Sequence, residues 1–310
     1  DSNDLVQPPL AAFENAYLKN MEEYTTMYQK SIDDPEGFWA EVADEFHWYS
    51  KWETVLGYNY DRREGPISVE WFKGAKTNVC HNCVDRHLES RADKTAIIWE
   101  GNEPGEDATI SYRQLHEQVS RFANVLKGRG VKKGDRVSIY MPMVPEAAVA
   151  MLACARIGAV HSVVFGGFSA EALADRIVDS ECKTLITANG TFRGAKAIPM
   201  KPNADHAMAS ASERMGEPVE TCIVVRRVGE DSGIACDMKN GRDLWWDEAM
   251  NDVSTDCPCE EMDAEDPLFV LYTSGSTGQP KGVLHTSGGY MVYTATTHKY
   301  VFDYQEEDIY

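Results

Sequence analysis

An alternation of predicted strands and helices between residues 111 and 187 constrains the fold of this chain most strongly. Short apolar, β-prone runs, which are typical of buried strands, alternate there with helical segments. Consecutive parallel strands need a crossover connection, which is usually a helix. The pattern therefore predicts a layered α/β fold with a parallel sheet covered by helices. The strands are predicted at 136–141, 160–165 and 182–187, and the helices at 145–159 and 169–180.

A capping signal places the start of another helix just before these elements. Ser111 and Gln114 have the spacing of a capping box, apolar residues then recur at helical spacing, and Gly128 and Gly130 indicate the end. Further strands are predicted at 222–228 and 268–272. Two stretches show little pattern, namely 189–220 and the acidic, loop-like 229–262, where Trp245 and Trp246 are predicted to anchor the loop.

Aromatic residues are concentrated in the N-terminal part of the chain, which includes Trp39, Trp48, Trp52 and Trp71. So much aromatic surface must be covered, so we predict short helices that pack on a larger body. We therefore divide the chain into an aromatic-rich helical segment, residues 1–77, and an α/β part, residues 78–310.

Charge excludes several classes of partner. The 310-residue chain has 30 basic and 50 acidic residues, for a net charge of -20, and 43% of its residues are apolar. Such a balance opposes nonspecific binding to nucleic acid or to an anionic membrane, so any phosphate must be bound locally, by loops. The apolar content suffices for one large or two medium domains. No run of 18 apolar residues predicts a membrane span.

The eight cysteines are scattered through a large chain, which favours reduced thiols in an intracellular compartment. Cys80, Cys83 and His87, or Cys257 and Cys259, resemble parts of a zinc site. A structural zinc site needs four ligands in paired short spacings, and no matching second pair is present, so no metal site is predicted. Thiol-based redox control and a zinc module stay as minor alternatives.

A loop rich in glycine and hydroxyl groups follows the strand predicted at 268–272. It runs from Thr273 to Gly282, includes Lys281, and precedes a second strand-like segment at Val283 and Leu284. Glycines let several backbone N–H groups surround one anion, and we predict that this anion is a phosphate. A simple hairpin turn, the alternative, needs only two to five residues and no lysine. Neither G-x-x-x-x-G-K-[ST] nor G-x-G-x-x-G occurs, which removes the main support for kinase and dinucleotide-binding folds.

The segment Tyr272–Gly282 resembles the signature [YF]-T-S-G-[ST]-T-G-x-P-K-G of adenylate-forming enzymes. Runs such as "NCVDRH" and "FGGFSAEAL" are similar to AMP-forming acetyl-CoA synthetases in particular, and the resemblance covers about residues 36–310. It implies a ligase that converts acetate and ATP to acetyl-AMP and pyrophosphate and then transfers the acetyl group to coenzyme A. It also implies ATP, Mg²⁺ and coenzyme A as ligands, with acetate as the substrate.

The resemblance also implies site residues. Lys281 and Thr277 are the predicted catalytic residues, and Phe165 would stack on the coenzyme A adenine. Without the resemblance, Phe165 reads as a core residue and Arg193 and Lys196 as surface cations, while His161 and His285 are predicted to be structural. The implied ATP-phosphate residues are Thr273, Ser274, Gly275, Ser276, Thr277, Gly278 and Lys281, and those for coenzyme A are Phe165, Arg193, Gly194, Ala195 and Lys196.

Family members continue beyond the position that corresponds to Tyr310, so we expect the acyl pocket and a mobile C-terminal domain to be absent and this chain alone to be nearly inactive. The alternatives are a propionyl-CoA, acetoacetyl-CoA or other short-chain ligase, and a non-catalytic nucleotide-binding truncation product. Cytoplasmic localisation is predicted, or an organelle matrix or plastid stroma after removal of a transit peptide. The oligomeric state is not predicted.

Overall fold

The computed structural model describes residues 14–274 and 280–310. They form two units: the residues up to Lys76 with 263–265 and 288–310, and residues 77–262 with 266–287. The helices are α1 (Met21–Asp33), α2 (Pro35–Ala43), α3 (Val79–Cys83), α4 (Leu88–Arg91), α5 (Tyr112–Gly128), α6 (Pro145–Arg156), α7 (Ala170–Asp179), α8 (Lys201–Met215), α9 (Trp246–Ala249) and α10 (Ser287–Tyr300). The strands are β1 (Thr54–Asn59), β2 (Ser68–Lys73), β3 (Lys76–Thr77), β4 (Thr95–Glu100), β5 (Asp107–Ser111), β6 (Arg136–Met141), β7 (Val160–Phe165), β8 (Thr184–Ala188), β9 (Gly190–Arg193), β10 (Lys196–Pro199), β11 (Thr221–Val225), β12 (Asp243–Trp245), β13 (Met262–Asp263), β14 (Pro267–Thr273) and β15 (Lys281–Thr286).

The first unit contains both helices and strands. Helices α1 and α2 agree with the helical prediction for this segment, but β1 and β2 form an antiparallel hairpin, so that part of the prediction was wrong. The aromatic side chains do cluster. The Phe72 ring is only 1% exposed and lies 5.3 Å from the Trp48 ring and 5.2 Å from the Trp52 ring. β-branched and aromatic residues suit a half-buried hairpin as well as a helix, which explains the error.

The second unit is built on one sheet. In the described part of the chain, seven strands form it in the order β12-β11-β8-β6-β7-β14-β15. All neighbours are parallel except β14 and β15, which are antiparallel. The next two sheet strands after β6 in the chain, β7 and β8, lie on opposite sides of it. The predicted parallel sheet is therefore confirmed, and its strand order reverses beside β6.

Helices supply the apolar surface that covers this sheet. Helix α5 begins with the predicted capping box: the Ser111 hydroxyl accepts the Gln114 N–H at 3.3 Å, and the Gln114 side chain accepts the Ser111 N–H at 2.9 Å. Its inward face buries Val119 and Phe122 completely. Among the residues that the structure describes, none of the helices combines the length and the apolar character that a bilayer crossing needs.

The weakly patterned stretches contain elements that the sequence did not predict. Residues 189–220 hold β9, β10 and the long helix α8, and residues 229–262 hold β12 and α9. The predicted tryptophan anchor is confirmed, because Trp246 is 8% exposed and stacks on Phe122 with ring centroids 3.7 Å apart.

Candidate active site

A cleft of about 560 Å³ opens at the carboxyl ends of β6 and β7 and is also lined by the β9–β10 hairpin, which follows β8. We call it the β6–β8 cleft. In open α/β sheets, ligands bind outside the carboxyl ends of the strands where the strand order reverses, and β6 is that point in this sheet. Phe165 and Arg193, two residues that the sequence assigned to coenzyme A, both line this cleft. The structure therefore brings together part of the predicted site, at the edge of the sheet where a ligand is expected.

Phe165 ends β7 and is 66% exposed, so it is not the core residue that its position in an apolar run indicates by itself. Two glycines follow it. A Cβ at Gly166 would lie 3.0 Å from the carbonyl oxygen of Met141, and one at Gly167 would lie 2.6 Å from the Phe165 ring. A larger residue at position 166 or 167 would displace the backbone or the Phe165 ring. Both glycines are therefore needed for the shape of the cleft.

Arg193 and Lys196 face each other at the end of the β9–β10 hairpin. Gly194 and Ala195 form the turn between them, and Gly194 has a φ of 56°, in the left-handed region that favours glycine. The side-chain amide of Asn102 donates a hydrogen bond to the Gly194 carbonyl oxygen at 3.0 Å. Gly194, Ala195 and Lys196 thus lie on an anchored turn beside Arg193, with both cations exposed.

Arg227 is a cleft residue that sequence analysis missed. Its guanidinium lies 4.9 Å from the Phe192 ring centroid and 5.5 Å from that of Trp99, and it binds the Glu106 carboxylate at 2.6 Å. Glu106 in turn accepts the backbone N–H of Asn102 at 2.8 Å. Hydrogen bonds from Arg227 and this N–H lower the pKa of the Glu106 carboxyl. The contacts of Arg227 with Glu106 therefore help to hold the part of the cleft that contains Asn102. No sequence signal pointed to this residue, because the strand predicted at 222–228 included it, whereas β11 ends at Val225.

The predicted phosphate loop joins β14 to β15. Thr273 ends β14, pairs with Lys281 at the start of β15, and is exposed together with Ser274 and Lys281. The pairing sets a lysine beside hydroxyl groups at one end of two antiparallel strands, which agree with the strand-like segments predicted on either side of the loop. The other predicted phosphate residues, Gly275, Ser276, Thr277 and Gly278, lie outside the described residues.

Tyr272, the residue before Thr273, is hydrogen-bonded to helix α7. Its phenol donates a hydrogen bond to the Asp179 carboxylate at 2.6 Å. Burial and this carboxylate raise the pKa of the Tyr272 phenol, so it stays protonated at neutral pH. The end of β14 is therefore held in place by a side-chain contact as well as by the sheet.

His161 and His285 both contact Phe269 of β14, which agrees with the structural role predicted for them. The ring centroids lie 5.5 Å and 4.5 Å from that of Phe269, respectively. Burial lowers the pKa of His161 to about 4, so this imidazole is neutral at physiological pH.

One side-chain cluster joins the two cysteine motifs that resembled zinc sites. The possible ligand atoms of Cys80, Asp85 and Cys259 all lie within 4.8 Å of one another. The Arg156 guanidinium, however, binds both Asp85 oxygens, at 2.8 Å and 2.9 Å. The hydrogen-bonding contact with Cys80, together with burial, raises the pKa of the Cys259 thiol. A bound guanidinium and a protonated thiol are a poor environment for a metal cation, so we read this cluster as structural.

Comparison with known proteins identifies the family. Residues 84–310 match the AMP-binding enzyme family, and residues 24–83 match the acetyl-coenzyme A synthetase N-terminus. The acetyl-coenzyme A synthetase of Magnetococcus marinus is 58% identical over 306 residues, which cover 98% of this chain and 45% of that protein. The acetyl-coenzyme A synthetase 2 of Pseudomonas aeruginosa is 54% identical over 303 residues, 97% of this chain and 45% of that protein.

A solved structure supports the same assignment. The acetoacetyl-CoA synthetase from Streptomyces lividans superimposes with a TM-score of 0.83 at 25% identity, over 97% of this chain and 46% of that one. The chain thus spans a little less than half the length of the relatives it matches. Because the family match extends over most of its residues, the resemblance seen in the sequence is confirmed, and the chain belongs to the AMP-binding enzyme family.

Proposed function

We propose that this chain is the N-terminal part of an AMP-forming acetate–CoA ligase. A carboxylate oxygen of acetate attacks the α-phosphorus of ATP and pyrophosphate leaves; the thiol of coenzyme A then attacks the acetyl carbon and AMP leaves. The observation that carries this proposal is the pair of separate sites at the carboxyl ends of strands of one sheet, one at β14 and one at β6–β8. They occur in a chain that is 58% identical to a protein named acetyl-coenzyme A synthetase.

The end of β14 is the proposed site for the phosphates of ATP. The exposed hydroxyls of Thr273 and Ser274 and the ammonium of Lys281 supply donors and one positive charge. They would stabilise the negative charge that develops on pyrophosphate as it leaves. We assign Gly275, Ser276, Thr277 and Gly278 to the same loop from the sequence. Mg²⁺ would arrive bound to ATP, and hydroxyl oxygens are suitable ligands for this hard cation.

The cleft at β6–β8 is the proposed site for the nucleotide part of coenzyme A. The exposed Phe165 ring offers a stacking face for adenine, and Arg193 and Lys196 offer charge for a phosphate. Within the described part of the chain, neither cation lies within 4.0 Å of a carboxylate oxygen, so both are available to an anion. The turn at Gly194 and Ala195 permits a close approach of the backbone to the ligand.

The proposal is tested by exchange of labelled pyrophosphate into ATP, measured on the natural product that contains this sequence. Acetate is expected to support exchange with a higher kcat/KM than propionate or acetoacetate, because acetyl-coenzyme A synthetases match at much higher identity than the acetoacetyl-CoA synthetase. Exchange that requires a larger acid would correct the substrate and keep the reaction class. If none of the acids supports exchange, the ligase proposal is wrong and a nucleotide-binding protein remains.

A further inference from the structure

The β9–β10 hairpin carries Arg193 and Lys196 at its tip, yet it has little structure of its own. Its strands have four residues each, and in the described part of the chain they form a separate two-stranded sheet. An isolated pair of strands is only marginally stable in water. The positions of the two cations must therefore depend on contacts between the hairpin and the rest of the chain.

Arg227 supplies such contacts at the base of the hairpin and along β9. The side-chain oxygen of Asn189, the residue before β9, accepts the backbone N–H of Arg227 at 2.9 Å. The Arg227 guanidinium packs on the ring of Phe192 in β9, 4.9 Å from its centroid. Its side chain is only 13% exposed, so this contact is largely shielded from water and the cation–π attraction is strengthened.

Arg227 also reaches the tip of the hairpin, through two intermediate residues. Its two terminal nitrogens donate hydrogen bonds to the two Glu106 oxygens, at 2.6 Å and 3.1 Å. Glu106 accepts the backbone N–H of Asn102 at 2.8 Å, and the Asn102 side chain donates to the Gly194 carbonyl oxygen at 3.0 Å. Gly194 belongs to the turn that separates the two cations, so one arginine is connected to the base, a strand and the tip of the same hairpin.

We infer that Arg227 is a positioning residue for coenzyme A binding, which holds the β9–β10 hairpin so that Arg193 and Lys196 meet a phosphate of coenzyme A. The inference rests on the proposed function, in which coenzyme A occupies the β6–β8 cleft. Arg227 acts through the hairpin, because both of its terminal nitrogens already donate to Glu106. Cations that are held in place lose less conformational freedom when a phosphate binds, so the affinity for coenzyme A is higher.

Steady-state kinetics on the natural product that contains this sequence test the inference. Acetyl-CoA formation at saturating ATP and acetate gives kcat and KM for coenzyme A, and pyrophosphate exchange reports adenylation, a step in which coenzyme A takes no part. Arg227→Met is expected to raise the KM for coenzyme A by about five-fold or more, because it removes the hydrogen bonds to Glu106. Exchange and kcat should stay within about two-fold of the wild type, whereas a general loss of folded enzyme would lower both and leave KM unchanged.

A second variant and a matched control make the test specific. Asn102→Ala removes the contact with Gly194 while Arg227 stays in place, and it is expected to raise the KM by a similar factor. Asn102 is exposed, so this variant also serves if Arg227→Met fails to fold. Arg226→Met is the control: Arg226 binds Asp247 and Glu248 and lies 4.1 Å from the Trp245 ring centroid, but it is outside the described lining of the cleft. The control should keep the wild-type KM.

A variant that lacks both hairpin cations separates positioning from direct binding. In Arg193→Met/Lys196→Met, the hairpin has no cation left to position. Adding Arg227→Met to this variant should therefore lower kcat/KM for coenzyme A by less than about two-fold. If the added change lowers kcat/KM as much as it does in the wild type, Arg227 binds the ligand itself and is not a positioning residue.

Two further results would contradict the inference. If either Arg227→Met or Asn102→Ala is folded and active with an unchanged KM for coenzyme A, the path through the hairpin is wrong, although the proposed function stands. If the wild type shows neither pyrophosphate exchange nor use of coenzyme A, the proposed function itself is wrong, and the inference that rests on it falls too.

Discussion

Replacing Lys201 with methionine is expected to lower the free energy of unfolding by about 3 kcal/mol or more, because it leaves a buried carboxylate short of a partner. The Lys201 side chain is 0% exposed, and its ammonium lies 2.8 Å from both oxygens of Asp205 and 2.8 Å from Asp243, which is also 0% exposed. Burial by itself lowers the pKa of Lys201, but the hydrogen bonds to Asp205 and Asp243 outweigh it and raise the pKa above its ordinary value.

Arg242 completes this charge cluster, because it contacts both Asp205 and Asp243 at 2.5 Å. The cluster thus contains two cations and two carboxylates, and it joins the start of α8 to the start of β12. Removing one cation leaves an excess negative charge in a cluster whose Asp243 side chain is fully buried, whereas methionine fills only the volume of the lysine stem.

Urea unfolding of Lys201→Met beside Lys183→Met would measure this effect. Lys183 binds Glu217 at 2.6 Å, but the two side chains are 49% and 62% exposed, and solvent screens such a pair. The Lys183 variant should therefore unfold close to the wild-type midpoint. Equal urea midpoints for the two variants would contradict the prediction that the buried Lys201 cluster contributes more to the free energy of unfolding than the exposed Lys183–Glu217 pair.

Replacing Asp85 with asparagine is expected to destabilise the protein at pH 7 by a similar amount, about 3 kcal/mol, because it leaves the Arg156 cation buried without its counterion. Arg156 is 3% exposed, and its guanidinium also donates a hydrogen bond to the Cys257 carbonyl oxygen at 2.5 Å. The pair joins α6 to the turn after α3 and to the segment that carries Cys257.

The effect of Asp85→Asn should depend on pH. Burial by itself would raise the pKa of the Asp85 carboxyl, but hydrogen bonds from His116 and Arg156 outweigh it and hold the pKa well below the ordinary 3.8. A carboxyl with a lower pKa in the folded chain stabilises it above the unfolded pKa and loses that contribution as pH falls through the folded pKa. The stability difference between wild type and variant should thus be full at pH 7 and shrink progressively below about pH 4.

Denaturant unfolding of both proteins between pH 7 and pH 2.5 measures this change. Asp93→Asn is the control, because Asp93 is 89% exposed and contacts Arg113 at 3.3 Å. If the difference in free energy of unfolding between wild type and Asp85→Asn stays constant over this range, the carboxyl does not act through its charge. The free energy of unfolding of Asp93→Asn is expected to match that of the wild type at every pH.

The sequence predicted the central parallel strands well, because each is a short apolar run between strong turn or helix signals. The predicted strands 136–141 and 160–165 match β6 and β7 residue for residue. Helix α8 was missed because its buried face consists mainly of alanines together with the charged Lys201, so it has no hydrophobic stripe for a pattern to show. The charged residues of α8 are paired with residues elsewhere in the chain: Lys201 binds Asp243, and Asp205 binds Arg242. A local pattern cannot show these contacts.

The candidate site was predicted in part. Phe165 and Arg193 line one cleft, but only the resemblance pointed to them, since an aromatic residue at a strand end and a loop cation are both common. Asn102 and Arg227 were missed because their contacts, with Gly194 and with Glu106, join segments far apart in sequence. Arg227 was placed inside the strand predicted at 222–228, whereas β11 ends at Val225, and Asn102 follows an antiparallel strand.

The central claim is that the end of β14 serves adenylation and the β6–β8 cleft serves the coenzyme A step. It is tested most directly by measuring pyrophosphate exchange and acetyl-CoA formation side by side for Phe165→Ala and Lys281→Ala in the natural product. Loss of one charged hydrogen bond or one stacked base corresponds to about ten-fold or more. Lys281→Ala should lower both rates in proportion, whereas Phe165→Ala should lower kcat/KM for coenzyme A and spare exchange. An equal loss of exchange in Phe165→Ala would contradict the division into two sites.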